Sequence, residues 1–95
     1  MHTTCDRFVD VKTVYRFLSA VATSPGGSRS REYVGCGAYT TVRSVSILLE
    51  KTNFVYTLQM KDKGKPGPFY KGYYLTDDGK LLFRLLGRLV GDESL

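Results

Sequence analysis

Tyr39, Thr40, Thr41, Arg43 and Ser44 fall within six consecutive positions, on a segment whose apolar residues Val42, Val45 and Leu49 recur at helical spacing. Side chains of these types hydrogen-bond nucleic acids. Arg can pair bidentately with guanine, and Thr or Ser can bond either base type in the major groove of DNA. The same hydroxyls also hold phosphate oxygens, so base reading and backbone contact both stay open. A solvated polar face has the same composition. A second group, Lys61, Lys63, Lys65 and Lys71, is opposed nearby only by Asp62. Such a cluster can neutralise phosphates and release counterions, giving affinity without sequence preference. Its bland alternative is an edge hairpin protected from aggregation by lysines. Ser28, Arg29 and Arg31 form a third group, which either adds phosphate contacts at a helix N-terminus or only flanks a loop.

Catalytic and metal chemistry finds less support. Cys5, Cys36 and His2 are the only cysteines and histidine. Three scattered candidates do not make a structural zinc site, which needs four ligands at short spacings. Cys36 sits between two glycines, but a catalytic thiol needs a partner base, and His2 lies near the terminus. Asp77 and Asp78 directly follow a threonine able to cap a helix, which suffices to explain them. Gly35-Cys36-Gly37 lacks the strand and further glycine of a dinucleotide fingerprint. The expectation is no enzyme, no metal and no cofactor. Cys5 and Cys36 remain open as two buried thiols, one disulfide or half of an intermolecular bridge, with thiols favoured in a mesophilic cytoplasm.

The elements that would position these groups follow from periodicity. Val11, Val14, Tyr15, Leu18, Val21 and Ala22 gather on one face of a first helix, with Asp10 as N-cap and Ser24-Pro25-Gly26-Gly27 as stop. A short second helix is expected to open at a capping Ser28 and to end at Gly35-Cys36-Gly37. A third runs from about Ala38 to Thr52, closed by Asn53. The period then changes to two, with Phe54, Tyr56, Leu58 and Met60 on one side of a strand. A returning strand over 69–75 completes a hairpin, whose tip carries two prolines and two glycines. A last helix opens at Thr76 and presents Leu82, Leu85, Leu86, Leu89 and Val90 at helical spacing, with an acidic tail after it.

This order, helix, helix, turn, helix, strand, basic loop, strand, helix, resembles the winged helix-turn-helix of small transcription regulators, particularly the MarR and PadR types. Three stretches carry the resemblance. Thr41-Val42-Arg43-Ser44-Val45 with Leu49-Glu50-Lys51-Thr52-Asn53-Phe54-Val55 is similar to that family's recognition helix and its exit. There the usual L-E-x-x-G-L-V has Asn53 for Gly and Phe54 for Leu. Tyr73-Tyr74-Leu75-Thr76-Asp77-Asp78-Gly79-Lys80 matches Y-x-L-T-x-x-G-[KR], and Lys63-Gly64-Lys65-Pro66-Gly67-Pro68 stands where the wing tip belongs. The resemblance implies an α+β winged helix-turn-helix with a three-helix core, a two-stranded wing and a C-terminal helix. It further implies double-stranded DNA as partner, with the third helix in the major groove and the wing on the backbone or minor groove.

Length and charge agree with that scale. Ninety-five residues fit one domain, 1–95 with its core at about 10–90. Fourteen Lys plus Arg against nine Asp plus Glu leave a net +5, and residues 51–71 alone hold five lysines and one acid. No apolar run approaches the ~18–20 residues that span a bilayer, and Met1–Arg7 lacks the apolar stretch of a signal peptide. A cytoplasmic protein without a membrane partner is expected, in a host cell's cytoplasm if the source is an archaeal virus. The last helix carries more apolar residues than one packing face uses. A homodimer through Leu82, Leu85, Leu86, Leu89 and Val90 would bury the surplus; a wide helix closing a small core would as well. A small-molecule effector stays undecided. Two other functions compete: an architectural, chromatin-type DNA coat, and a winged-helix module for protein or RNA contacts.

Overall fold

The computed structural model describes residues 10–61 and 69–93. Five main elements follow one another: α1 (Val11–Thr23), α2 (Tyr39–Lys51), β1 (Val55–Met60), β2 (Tyr70–Leu75) and α3 (Asp77–Glu93), with a single 3₁₀ turn at Val34–Cys36. Among the described residues the class is α+β: three helices and one two-stranded antiparallel sheet. No described helix is long and apolar enough to cross a membrane.

Asp10 caps α1 by accepting the Lys12 N–H at 3.3 Å. The residues that α1 buries are Thr13, Phe17, Leu18 and Val21, while Val11 and Ala22, expected on the inner face, are exposed. Phe17, which that spacing leaves out, is fully buried instead. On α2 the expected Val42, Val45 and Leu49 are buried, joined by Ser46. Each such apolar side chain contributes roughly 1.5–3 kcal/mol by leaving water.

The short helix expected at Ser28 is absent, and its place is taken by turns. The N–H groups of Arg31, Glu32 and Tyr33 all converge on the Ser28 carbonyl, at 3.3, 3.0 and 3.1 Å. A helix must instead pass its bonds forward one residue at a time. Propagation stops because Tyr33 is drawn inward. Its ring is 1% exposed and packs edge-on against Phe17 and Tyr73, with centroids 5.3 and 6.2 Å away. Its hydroxyl accepts the Gly27 N–H at 3.0 Å and donates to the Ser24 carbonyl. Nor does the Ser28 hydroxyl cap a helix, since the following N–H groups go to the Ser28 carbonyl.

The hairpin pairs Val55 with Leu75 and Met60 with Tyr70. Its other edge is covered too, since the Gly26 N–H donates to the Tyr73 carbonyl and the Tyr73 N–H to the Gly27 carbonyl, at 2.9 and 3.0 Å. The approach is so close that a Cβ on Gly72 would lie 2.8 Å from the Gly26 carbonyl oxygen. The more apolar side of β1 is not the side that it buries. Val55 enters the core, whereas Tyr56 and Leu58 are exposed. Tyr56 stacks instead on Tyr74, its partner across the strands, at 5.4 Å.

Two of the sequence stretches dock on each other. Asn53 adopts φ +66°, and the Phe54 N–H returns to the Leu49 carbonyl at 2.9 Å, closing α2. Thr76 then donates its hydroxyl to the Asn53 carbonyl at 2.6 Å and accepts the Gly79 N–H at 3.0 Å, capping α3. Gly79 lies against the Phe54 carbonyl, which a Cβ would overlap. The helix then continues through Glu93, into the stretch expected to be a tail. Along it, Leu82, Phe83 and Leu86 pack on the core, and Tyr15 of α1 stacks on Phe83 at 5.5 Å.

Gly79→Ala should therefore cost about 2–3 kcal/mol in urea unfolding, while Gly35→Ala, which meets nothing within 4 Å, should stay within about 0.5 kcal/mol. Equal effects would remove the assigned contact. A second test concerns alkaline pH. Burial holds the Tyr33 phenol neutral, pushing its pKa up from 10.0 to about 12. Stability from this group is thus complete below about 10 and declines as pH rises towards about 12. The tyrosinate absorbance of the folded protein should keep a component ionising near about 12 that Tyr33→Phe lacks.

Candidate nucleic-acid interface

The outward side of α2 is set by what it buries. With Val42, Val45, Ser46 and Leu49 inside, Tyr39, Thr40, Arg43 and Ser44 are exposed, and Thr41 is half-buried at the margin. The helix begins after Ala38, so no side chain caps it, and no acid lies in its first turn. Arg43 and its neighbours thus form a polar surface with a guanidinium at its centre and hydroxyls around it.

Ser46 explains the one polar residue on the buried stripe. It is 0% exposed, donates to the Arg43 carbonyl at 2.8 Å and accepts from Arg29 Nη1 at 3.1 Å. Arg29 is therefore half-buried and directed at α2, tying the 28–33 turn to the helix. Arg31 remains exposed, 5.2 Å above the Tyr70 ring and 4.0 Å from Glu32. The Ser28 N–H, donated to Glu32 at 2.7 Å, holds that carboxyl below its ordinary pKa, with Arg31 adding to the effect.

The hairpin brings two of the expected lysines into view. Lys61 is exposed, 5.7 Å from the Phe69 ring centre. Lys71 lies 3.9 Å from Glu50, which also accepts the Thr57 hydroxyl at 3.1 Å. Glu50, Ser30 and Tyr70 belong to this surface but carry no signal in the sequence; only the packing of α2, the 28–33 turn and β2 brings them to it. Lys63 and Lys65 lie outside the described residues. Ser28, Arg29, Tyr39 and Lys71, though far apart in sequence, line one cleft.

The remaining expectations divide. Of the C-terminal leucines, Leu82 and Leu86 pack on the core and Val90 is half-buried, whereas Leu85 and Leu89 are 48% and 65% exposed. Leu81, 51% exposed, extends these into a stripe with a spacing of four. Cys36 is a buried free thiol that donates to the Arg16 carbonyl at 3.7 Å; Cys5 lies outside the described residues. Burial pushes the Cys36 thiol's pKa up, which makes it a poor nucleophile. No group of three metal-ligating side chains occurs among the described residues. An open cleft of about 360 Å³ lies between α1, the hairpin and α3, walled by Val21, Tyr56, Tyr74 and Phe83 with Lys80 beside them. No family model, no curated protein and no solved structure matches the chain.

The bond from Arg29 to Ser46 makes a measurable claim about how α2 is held. Arg29→Ala and Ser46→Ala should each destabilise by about 1 kcal/mol, and the double variant by distinctly less than their sum. Strict additivity in denaturant unfolding would mean that the two side chains do not depend on each other.

Proposed function

We propose that this chain is a winged-helix protein that binds double-stranded DNA as a homodimer and regulates transcription at a palindromic site. In this reading α2 enters the major groove and the β1–β2 hairpin follows the backbone or minor groove as the wing. The observation that carries it is α2 itself: Arg43 with Tyr39, Thr40 and Ser44 exposed on one side, a packed stripe on the other, and an N-terminus left uncapped by the protein. Arg is suited to guanine and the hydroxyls to bases or phosphates. The element order, the capped joint between α2 and α3, and the lysines of the hairpin support the same reading.

Leu81, Leu85 and Leu89 support the dimer. They form a narrow apolar ridge that the chain's own core leaves exposed, and an antiparallel second copy of α3 would set Leu85 against Leu85 with Leu81 against Leu89. Two recognition helices related by a two-fold axis would then meet half-sites ~34 Å apart. No catalytic role enters this reading.

A mobility-shift titration against genomic fragments at two salt concentrations tests it. A regulator should keep a strong preference for one fragment as salt rises; an architectural coat should weaken on all fragments alike. Arg43→Ala should lose the preference. Lys63→Ala and Lys65→Ala should weaken every fragment and lower the salt slope by roughly 0.9 for each lost phosphate contact. Leu85→Glu should sediment as a monomer and bind the palindrome more weakly. Identical behaviour of the Arg43 and lysine variants would remove base reading from α2, and no binding at low salt would remove DNA altogether.

A further inference from the structure

Glu50 stands where its own helix disfavours a carboxylate. It belongs to the last turn of α2, the negative end of the helix, which favours cations. Its oxygens go instead to the hairpin. Oε2 accepts the Thr57 hydroxyl of β1 at 3.1 Å, and Oε1 lies 3.9 Å from the Lys71 ammonium of β2. The strand register explains how one side chain meets both strands. Thr57 pairs with Tyr73 and Lys71 with Gln59, so Thr57 and Lys71 are diagonal neighbours on one side of the sheet. On that same side Val55 and Tyr73 are buried. Glu50 therefore grips the hairpin one step beyond the core, where the inner side of the sheet emerges into solvent.

Two further features bear on what this contact does. Glu50 follows Arg43 by seven residues, close to two turns, which puts both on one side of α2 about 10 Å apart along its axis. The ion pair with Lys71 is loose, with the Lys71 and Glu50 side chains 62% and 36% exposed. Pairs of this kind contribute little to stability. Even so, a carboxylate this close offsets the ammonium's charge and holds it beside the end of α2.

We propose that Glu50 is a specificity-determining residue for duplex DNA, an inference that rests on the DNA-binding reading above. Affinity without regard to sequence comes from cations meeting phosphates. A lysine free to swing meets a phosphate in many docking arrangements. Lys71, held by Glu50 at the end of α2, meets one only where the backbone runs past that point, in the arrangement that seats Arg43 in the groove. In other arrangements the carboxylate keeps the ammonium neutralised and itself repels phosphate. Specificity is a difference between affinities, so weakening the wrong arrangements raises it without a new attractive contact. Thr57 fixes the direction of the carboxylate and is a positioning residue that acts through Glu50.

The test measures binding of the full chain to two short duplexes, one from the preferred fragment and one of unrelated sequence, across a salt series. Glu50→Gln keeps an oxygen for the Thr57 hydroxyl while removing the charge, and it should unfold close to the wild-type temperature because the pair is exposed. It should bind the unrelated duplex about 3–10-fold more tightly, steepen that salt slope by roughly 0.9, and gain less on the preferred duplex. Adding Lys71→Gln should abolish the gain, because the released ammonium is its cause. Thr57→Val, which keeps both charges, should change binding in the same direction by a smaller factor. Equal gains on both duplexes, or a gain that survives Lys71→Gln, would leave Glu50 a general repulsive charge and overturn the assignment. A Glu50→Gln protein that binds like wild type would overturn it as well, with the DNA reading intact. If wild type itself binds no duplex even at low salt, the DNA reading falls and this inference with it, a failure seen without any variant.

Discussion

The buried phenol of Tyr33 is the contact from which the rest of the molecule takes its geometry. Its ring closes an edge-on group with Phe17 of α1 and Tyr73 of β2, and its hydroxyl satisfies two backbone groups of the chain leaving α1. Aromatic pairs in this arrangement contribute beyond their buried area, and a buried hydroxyl with both a donor and an acceptor pays no desolvation penalty for its position. The consequence is local as well as global. Pulling Tyr33 inward folds the 28–33 segment back on the Ser28 carbonyl, so the segment forms turns and brings Arg29 to α2 and Ser28 to the cleft beside β2.

A second joint relates the two helices that carry the proposed functions. Asn53 in the left-handed conformation ends α2, and the next polar side chain to meet that turn is Thr76, which starts α3. Gly79 removes the one side chain that would keep the two turns apart. The end of α2 and the start of α3 are therefore tied together by the Thr76 hydroxyl and by the Thr76 N–H, which donates to the Phe54 carbonyl at 3.2 Å. The proposed reading of spaced half-sites would depend on this joint, since it sets the orientation of α2 relative to α3.

The periodic and capping signals were legible because they are local. Val42, Val45 and Leu49 share a face at any position in any helix, Asp10 and Thr76 reach the N–H groups next to them, and Asn53 tolerates positive φ by its own chemistry. Errors arose where a local pattern had two answers. In β1, Tyr56 and Leu58 make the more apolar side, but only Val55, at the base of the hairpin, reaches the core, and the aromatic side is completed by Tyr74 across the strands. At Ser28 a helix nucleus was available, but a tertiary contact by Tyr33 drew off the residue that would have continued it.

Unaided, the amino-acid order determined an α+β chain with three long helices and a hairpin between the last two, a hydroxyl- and arginine-bearing helix face, and an excess of lysine near the hairpin. Each of these depends on spacings of four residues or fewer. Only the tertiary structure decided which strand side is buried, that Arg29 reaches Ser46, that Leu82 and Leu86 turn inward while Leu85 and Leu89 do not, and that Ser28 and Lys71 share a cleft. Those pairings join residues far apart along the chain, and their choice is made by competition for one small core, a quantity that no single stretch of sequence contains.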